Sequence, residues 1–84
     1  MTLNMCWEEV DGKLEKNYTF KSQTALVNFM LQIAVYADQL NHHPDFRIHK
    51  AFQLEIKIFS HDVNKITALD HQLAEFINSL ELLE

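Results

Sequence analysis

The stretch from Asp38 to His61 contains His42, His43 and His61, the acid Asp38 and the only proline, Pro44. Imidazole has a reference pKa of about 6.5, so adjacent His42 and His43 with His61 supply both a proton donor and a proton acceptor at physiological pH. Adjacent histidines at a helix end also have a simpler reading, as residues that interact with the dipole at the helix C-terminus. Asp70 is open to two readings as well: a site acid, or the third-position acid of a capping box with Thr67. Asp38 near a helix C-terminus gains nothing from the dipole, which leaves a site role or a solvated acid. A third chemistry is zinc held by His42 or His43, His61 and a carboxylate, with water in the fourth position, although no recognised metal-motif spacing is present. His49 and His71 read as surface residues. Cys6 reads as a packed small side chain, because no base is fixed near it.

The elements that must position these groups follow from periodicity. Met5 to Val10 and Lys13 to Phe20 flank Asp11-Gly12, a dipeptide suited to a type I′ turn, and form a hairpin. Leu14, Tyr18 and Phe20 fall on one face and Glu15, Asn17 and Thr19 on the other, with Lys16 out of pattern and assigned to an edge. From Ser22, an expected N-cap, the period changes to helical through Leu26, Phe29, Met30, Ile33, Ala37 and Leu40. A second apolar row, Val27, Leu31 and Val35, exceeds what one buried face needs and predicts a subunit interface. Pro44 ends the helix near Asn41 to His43. Asp45 to His49 and Phe52 to Ser60 read as strands, and Asn64 to Thr67 as a polar connection. Leu69, Leu73, Phe76, Ile77 and Leu80 mark a last helix. The expected fold is α+β, in the order β-β-α-β-β-α, with helices on one face of an antiparallel sheet.

Composition sets the bounds. The chain has 84 residues, 48% of them hydrophobic, and supports one domain over 1–84 with a small core that benefits from oligomerisation. One cysteine excludes an internal disulfide framework, and no signal peptide or apolar run long enough to cross a membrane is visible. The expectation is a reduced, soluble, cytoplasmic protein without a membrane partner. A formal net charge of -5 disfavours direct nucleic-acid binding. A single glycine cannot build a phosphate-cradling loop.

These residues carry a resemblance. Trp7 precedes the Asp11-Gly12 hairpin, Tyr18-Thr19-Phe20-Lys21 leads into a helix with Phe29-Met30, and Asp38 stands before His42-His43-Pro44. A strand then ends in Ser60-His61, and Asp70 follows within Ile66-Thr67-Ala68-Leu69-Asp70. In this order the sequence resembles the pterin-4a-carbinolamine dehydratases, a family also known as the dimerisation cofactor of a homeodomain transcription factor. The resemblance implies a dehydratase that removes water from 4a-hydroxytetrahydrobiopterin to give the quinonoid dihydropterin, with no metal or organic cofactor. It assigns acid and base work to His42 and His61, substrate binding mainly to His43, and support of the histidines to Asp38 and Asp70. Trp7, Pro44, Phe46 and Ser60 would line the pterin pocket, although Trp7 and Phe46 equally read as packing residues. Asn41 stands where some relatives carry an acid. The family's aromatic six residues after the proline is Lys50 here, with Phe52 a candidate to supply the ring after a bulge or looser turn.

Two other functions compete with the enzyme. One is the metal-binding reading above. The other is an interaction module that pairs helices through Val27, Leu31 and Val35, as a homodimer or homotetramer or with a transcription-factor partner that the resemblance alone suggests.

Overall fold

Asp11 and Gly12 take φ of 52° and 76°, the left-handed backbone that a type I′ turn requires at both centres. The turn joins β1 (Glu8–Val10) to β2 (Lys13–Thr19) with Val10 opposite Lys13. The computed structural model describes residues 7–81, so Met5 and Cys6 lie outside the described residues. Beyond β2, Ser22 caps α1 (Gln23–Leu40), its Oγ accepting from the Ala25 N–H at 3.1 Å. Asn41 closes the helix in the left-handed conformation, and the His42 N–H then returns to the Ala37 carbonyl at 3.1 Å. The chain turns at Pro44 into β3 (Asp45–His49), which a loop connects to β4 (Gln53–Ile58); α2 (Ala68–Glu81) ends the described chain.

The sheet is antiparallel throughout, in the order β1-β2-β4-β3, and the chain order β-β-α-β-β-α is the expected one. Leu54, Ile56 and Ile58 of β4 are fully buried and meet Leu14 of β2, Leu26, Phe29 and Ile33 of α1, and Leu73, Ile77 and Leu80 of α2. Both helices therefore cover one face, and the stacked rings of Tyr36 and Phe76, 4.0 Å between centroids, join them. Val27, Leu31 and Val35 point away from this core and are exposed.

Two sequence expectations need correction. Lys16 is not at an edge: β2 is paired on both sides, and the Lys16 side chain points into the helix-covered face, where it is only 7% exposed. Its Nζ reaches Glu81 Oε2 at 2.7 Å and Asn78 Oδ1 at 3.3 Å and lies 5.2 Å from the Tyr18 ring centre, so the buried charge has partners. Glu81 also accepts from the Tyr18 hydroxyl, and burial together with that carboxylate pushes the Tyr18 phenol well above its ordinary pKa. The last strand is also shorter than expected. Phe52 lies in the β3–β4 turn, where Lys50 and Ala51 take φ of 55° and 64°, and is exposed.

Register decides which loops meet. Asp45, at the start of β3, pairs with Lys57 near the end of β4, and Leu14, at the start of β2, pairs with Ile58. The α1–β3 corner that carries His42 and His43 is thereby brought to the same end of the sheet as the β4–α2 loop that carries His61. Phe52 sits at the other end of β4.

Candidate active site

At this end of the sheet, Asp70 organises the polar groups. It occupies the first turn of α2 and is fully buried, yet its carboxylate has a partner on every side. Oδ2 accepts from the Thr67 N–H at 2.6 Å, the Ser60 hydroxyl at 2.9 Å and the Thr67 hydroxyl at 3.2 Å. Oδ1 meets His42 Nε2 at 2.5 Å. The capping box and the histidine contact thus use different oxygens of one carboxylate, so the two readings of Asp70 coexist. Burial alone raises a carboxyl pKa, but the hydrogen bonds from His42, the Thr67 N–H and Ser60 outweigh it and hold Asp70 below its ordinary value.

An ionised carboxylate can only accept, so the proton of the contact belongs to His42 Nε2. In neutral His42 this leaves Nδ1 with the lone pair, the tautomer being set by the carboxylate partner. The His42 side chain is 12% exposed, while His43, whose Nε2 is 2.8 Å from Asp38 Oδ1, is far more open. His61 is exposed and rests against the Phe59 ring.

A cavity of about 660 Å³ is lined by His42, His43 and His61 together with Pro44 and Ser60. Asn41, Asp45, Asp62, Val63, Thr67, Ala68 and Leu69 complete its wall. Such a volume lies in the range of small-molecule sites, roughly 300–1,000 Å³. Sequence reasoning missed Val63 and Leu69 as wall residues. Their signal was available in hindsight, since both are large apolar side chains beside His61 and the helix start, and both remain exposed. Trp7 and Phe46 are not among the lining residues. The Trp7 Nε1–H donates to Asn78 Oδ1 at 3.1 Å, and both rings pack against the core. Phe52, at the far end of β4, does not line the cavity either. Among the described residues, no group of three or more His, Cys, Asp or Glu side chains converges closely enough to hold a metal ion.

The sequence model described as pterin 4 alpha carbinolamine dehydratase matches residues 2–80, nearly the whole chain. The chain belongs to the pterin-4-alpha-carbinolamine dehydratase family. A relative from Prochlorococcus marinus, provisionally named for that activity, is 36% identical over 76 residues, covering 89% of this chain and 77% of its own. One from Bradyrhizobium diazoefficiens, provisionally named in the same way, is 34% identical over 80 residues, covering 92% and 78%. Among solved structures, a transcriptional coactivator/pterin dehydratase from Brucella melitensis is similar at a TM-score of 0.82 and 29% identity, covering 88% of this chain and 80% of that one. A pterin dehydratase-like RuBisCO assembly factor of the alpha-carboxysome has a TM-score of 0.72 at 17% identity, covering 88% and 87%, a likeness of fold alone. No helix among the described residues is long and apolar enough to cross a membrane.

Proposed function

We propose that this member of the family is a 4a-hydroxytetrahydrobiopterin dehydratase, acting in tetrahydrobiopterin recycling in the cytoplasm. The observation that carries the reading is the convergence of His42, His43 and His61 on one cavity, with His42 held by a buried carboxylate. In the reaction the C4a–O bond breaks, the leaving hydroxyl takes up a proton and departs as water, and a ring nitrogen loses a proton as the new double bond forms. One proton enters and one leaves, so the step balances with no redox partner. Imidazoles near neutral pH suit both transfers.

His42 and His61 do the acid and base work, and His43 binds substrate. Asp70 holds His42 Nε2 protonated, so the transfer uses Nδ1, and Asp38 orients His43. Pro44, Val63 and Leu69 present apolar surface to the flat pterin, and Ser60 acts through Asp70. Trp7 and Phe46 shape the domain rather than the pocket.

An interaction role sits beside this one on a different face. The exposed row Val27, Leu31 and Val35 supports a homodimer or homotetramer paired through α1, or a protein partner. The coactivator name of the Brucella melitensis relative fits that reading.

The test is stopped-flow decay of chemically generated 4a-hydroxytetrahydropterin. Wild type should exceed the spontaneous rate. His42→Ala and His61→Ala should each lose roughly 10²-fold to 10⁴-fold, with the double variant little worse than the worse single one. Changing His43 should mainly raise KM, and His71→Ala should leave both constants alone. A double variant with wild-type turnover, or a wild type no faster than solution, removes the catalytic assignment.

A further inference from the structure

The three cavity histidines are held in different ways. His42 leans on Asp70 and His43 on Asp38, but among the described residues no hydrogen bond or ion pair holds His61. Its ring instead lies 4.1 Å from that of Phe59, centroid to centroid, with 39° between the planes. The local chain explains the contact. Ser60 turns inward to Asp70 and its N–H is fixed to the Lys65 carbonyl at 3.0 Å, so its neighbours Phe59 and His61 emerge together on the other side of extended backbone. Phe59 is fixed in turn. The pairing of Leu14 with Ile58 brings Lys13 alongside it, and Lys13 Nζ sits 4.7 Å from the Phe59 ring centre, within cation–π range.

We infer that Phe59 is the positioning residue of His61, with Lys13 of the first hairpin holding Phe59 in place, an inference that rests on the dehydratase reading for its kinetic consequence. An exposed imidazole with no hydrogen bond samples three χ1 wells and a two-fold χ2, about six orientations, of which the aromatic contact selects one. Losing the contact lowers the fraction of protein in which His61 faces the cavity, and kcat falls with that fraction. His43 and the rest of the cavity wall keep their places, so KM should change far less than kcat.

Phe59→Leu keeps bulk and removes the ring; Phe59→Tyr restores the ring; Lys13→Met removes only the cation. The expected results are a kcat lower by roughly 3- to 10-fold in Phe59→Leu with KM far less changed, recovery in Phe59→Tyr, and a smaller loss in Lys13→Met. In parallel, three-bond couplings to the His61 Hβ protons should report one fixed χ1 in wild type and Phe59→Tyr and rotamer averaging in Phe59→Leu, while those of His71 stay the same. Unchanged His61 couplings in folded Phe59→Leu overturn the inference, as does wild-type kcat in that variant. If wild type fails to accelerate the reaction, the dehydratase reading falls and the coupling contrast alone decides whether Phe59 orients His61. If Phe59→Leu does not fold, Phe59→Met takes its place with the same two readouts, and unchanged His61 couplings there overturn the inference.

Discussion

Asp70→Asn changes the charge of a fully buried group while keeping its shape, which makes it the most informative single substitution. The wild-type carboxylate accepts from Ser60, from the Thr67 N–H and hydroxyl, and from His42. An amide offers one oxygen and one NH2. If the oxygen stays with Thr67, the NH2 faces His42, whose Nε2 must give up its proton and whose Nδ1 must carry it. The histidine then has the wrong tautomer. If the oxygen turns to His42, the NH2 points at the Thr67 N–H, donor against donor. Charge-assisted hydrogen bonds contribute about 1.5–3 kcal/mol each and an unsatisfied buried donor costs about 1–3 kcal/mol, so with partial compensation the variant should lose about 2–4 kcal/mol. That is a large share of the roughly 5–15 kcal/mol available to a domain, yet it leaves folded protein to assay.

Urea unfolding measures the stability and stopped-flow dehydration the activity. Turnover should fall by roughly 10²-fold or more, the scale of losing a correctly set acid or base. The pH dependence adds a signature. The folded Asp70 pKa is depressed, so its stabilisation is complete above the unfolded carboxyl value of about 3.9 and is lost as pH falls through the lower folded value. The gap between wild type and Asp70→Asn should therefore close in acid. A gap that is constant down to strongly acidic pH, or a variant with wild-type turnover, refutes the reasoning about this carboxylate.

Ser60→Ala removes one donor to Asp70 but leaves the charge and its contact with His42, so it should cost about 1 kcal/mol in urea unfolding and change turnover far less than Asp70→Asn. Lys16→Met leaves the Glu81 carboxylate, only 16% exposed, without its cation and should lower stability by about 2–4 kcal/mol; adding Glu81→Gln should recover part of that loss, and no recovery would show the pair is not coupled. Replacing both Leu31 and Val35 by Lys should lower the mass seen by light scattering if α1 is the subunit interface, and an unchanged mass removes that interface.

The elements were legible because their signals are local. Alternation placed Leu54, Ile56 and Ile58 on the buried face, three- and four-residue spacing placed Leu26, Phe29, Ile33 and Ala37 in the core, and Asp11-Gly12 and Pro44 marked real turns. The candidate histidines were legible as types in order, and the capping-box spacing of Thr67 and Asp70 is visible in the chain itself. What the sequence left open was decided by contacts between residues far apart. Lys16 broke the alternation of β2, and only the arrival of α2, 65 residues on, explains a buried lysine by giving it Glu81. Phe52 continued the apolar alternation of its strand, but the left-handed Lys50 and Ala51 put it in the turn, where local hydrophobicity could not show that no core was waiting for it. Asp70 could cap its helix from local spacing alone. That its other oxygen meets His42, 28 residues earlier, follows from strand register and from where two loops emerge, which no local periodicity encodes.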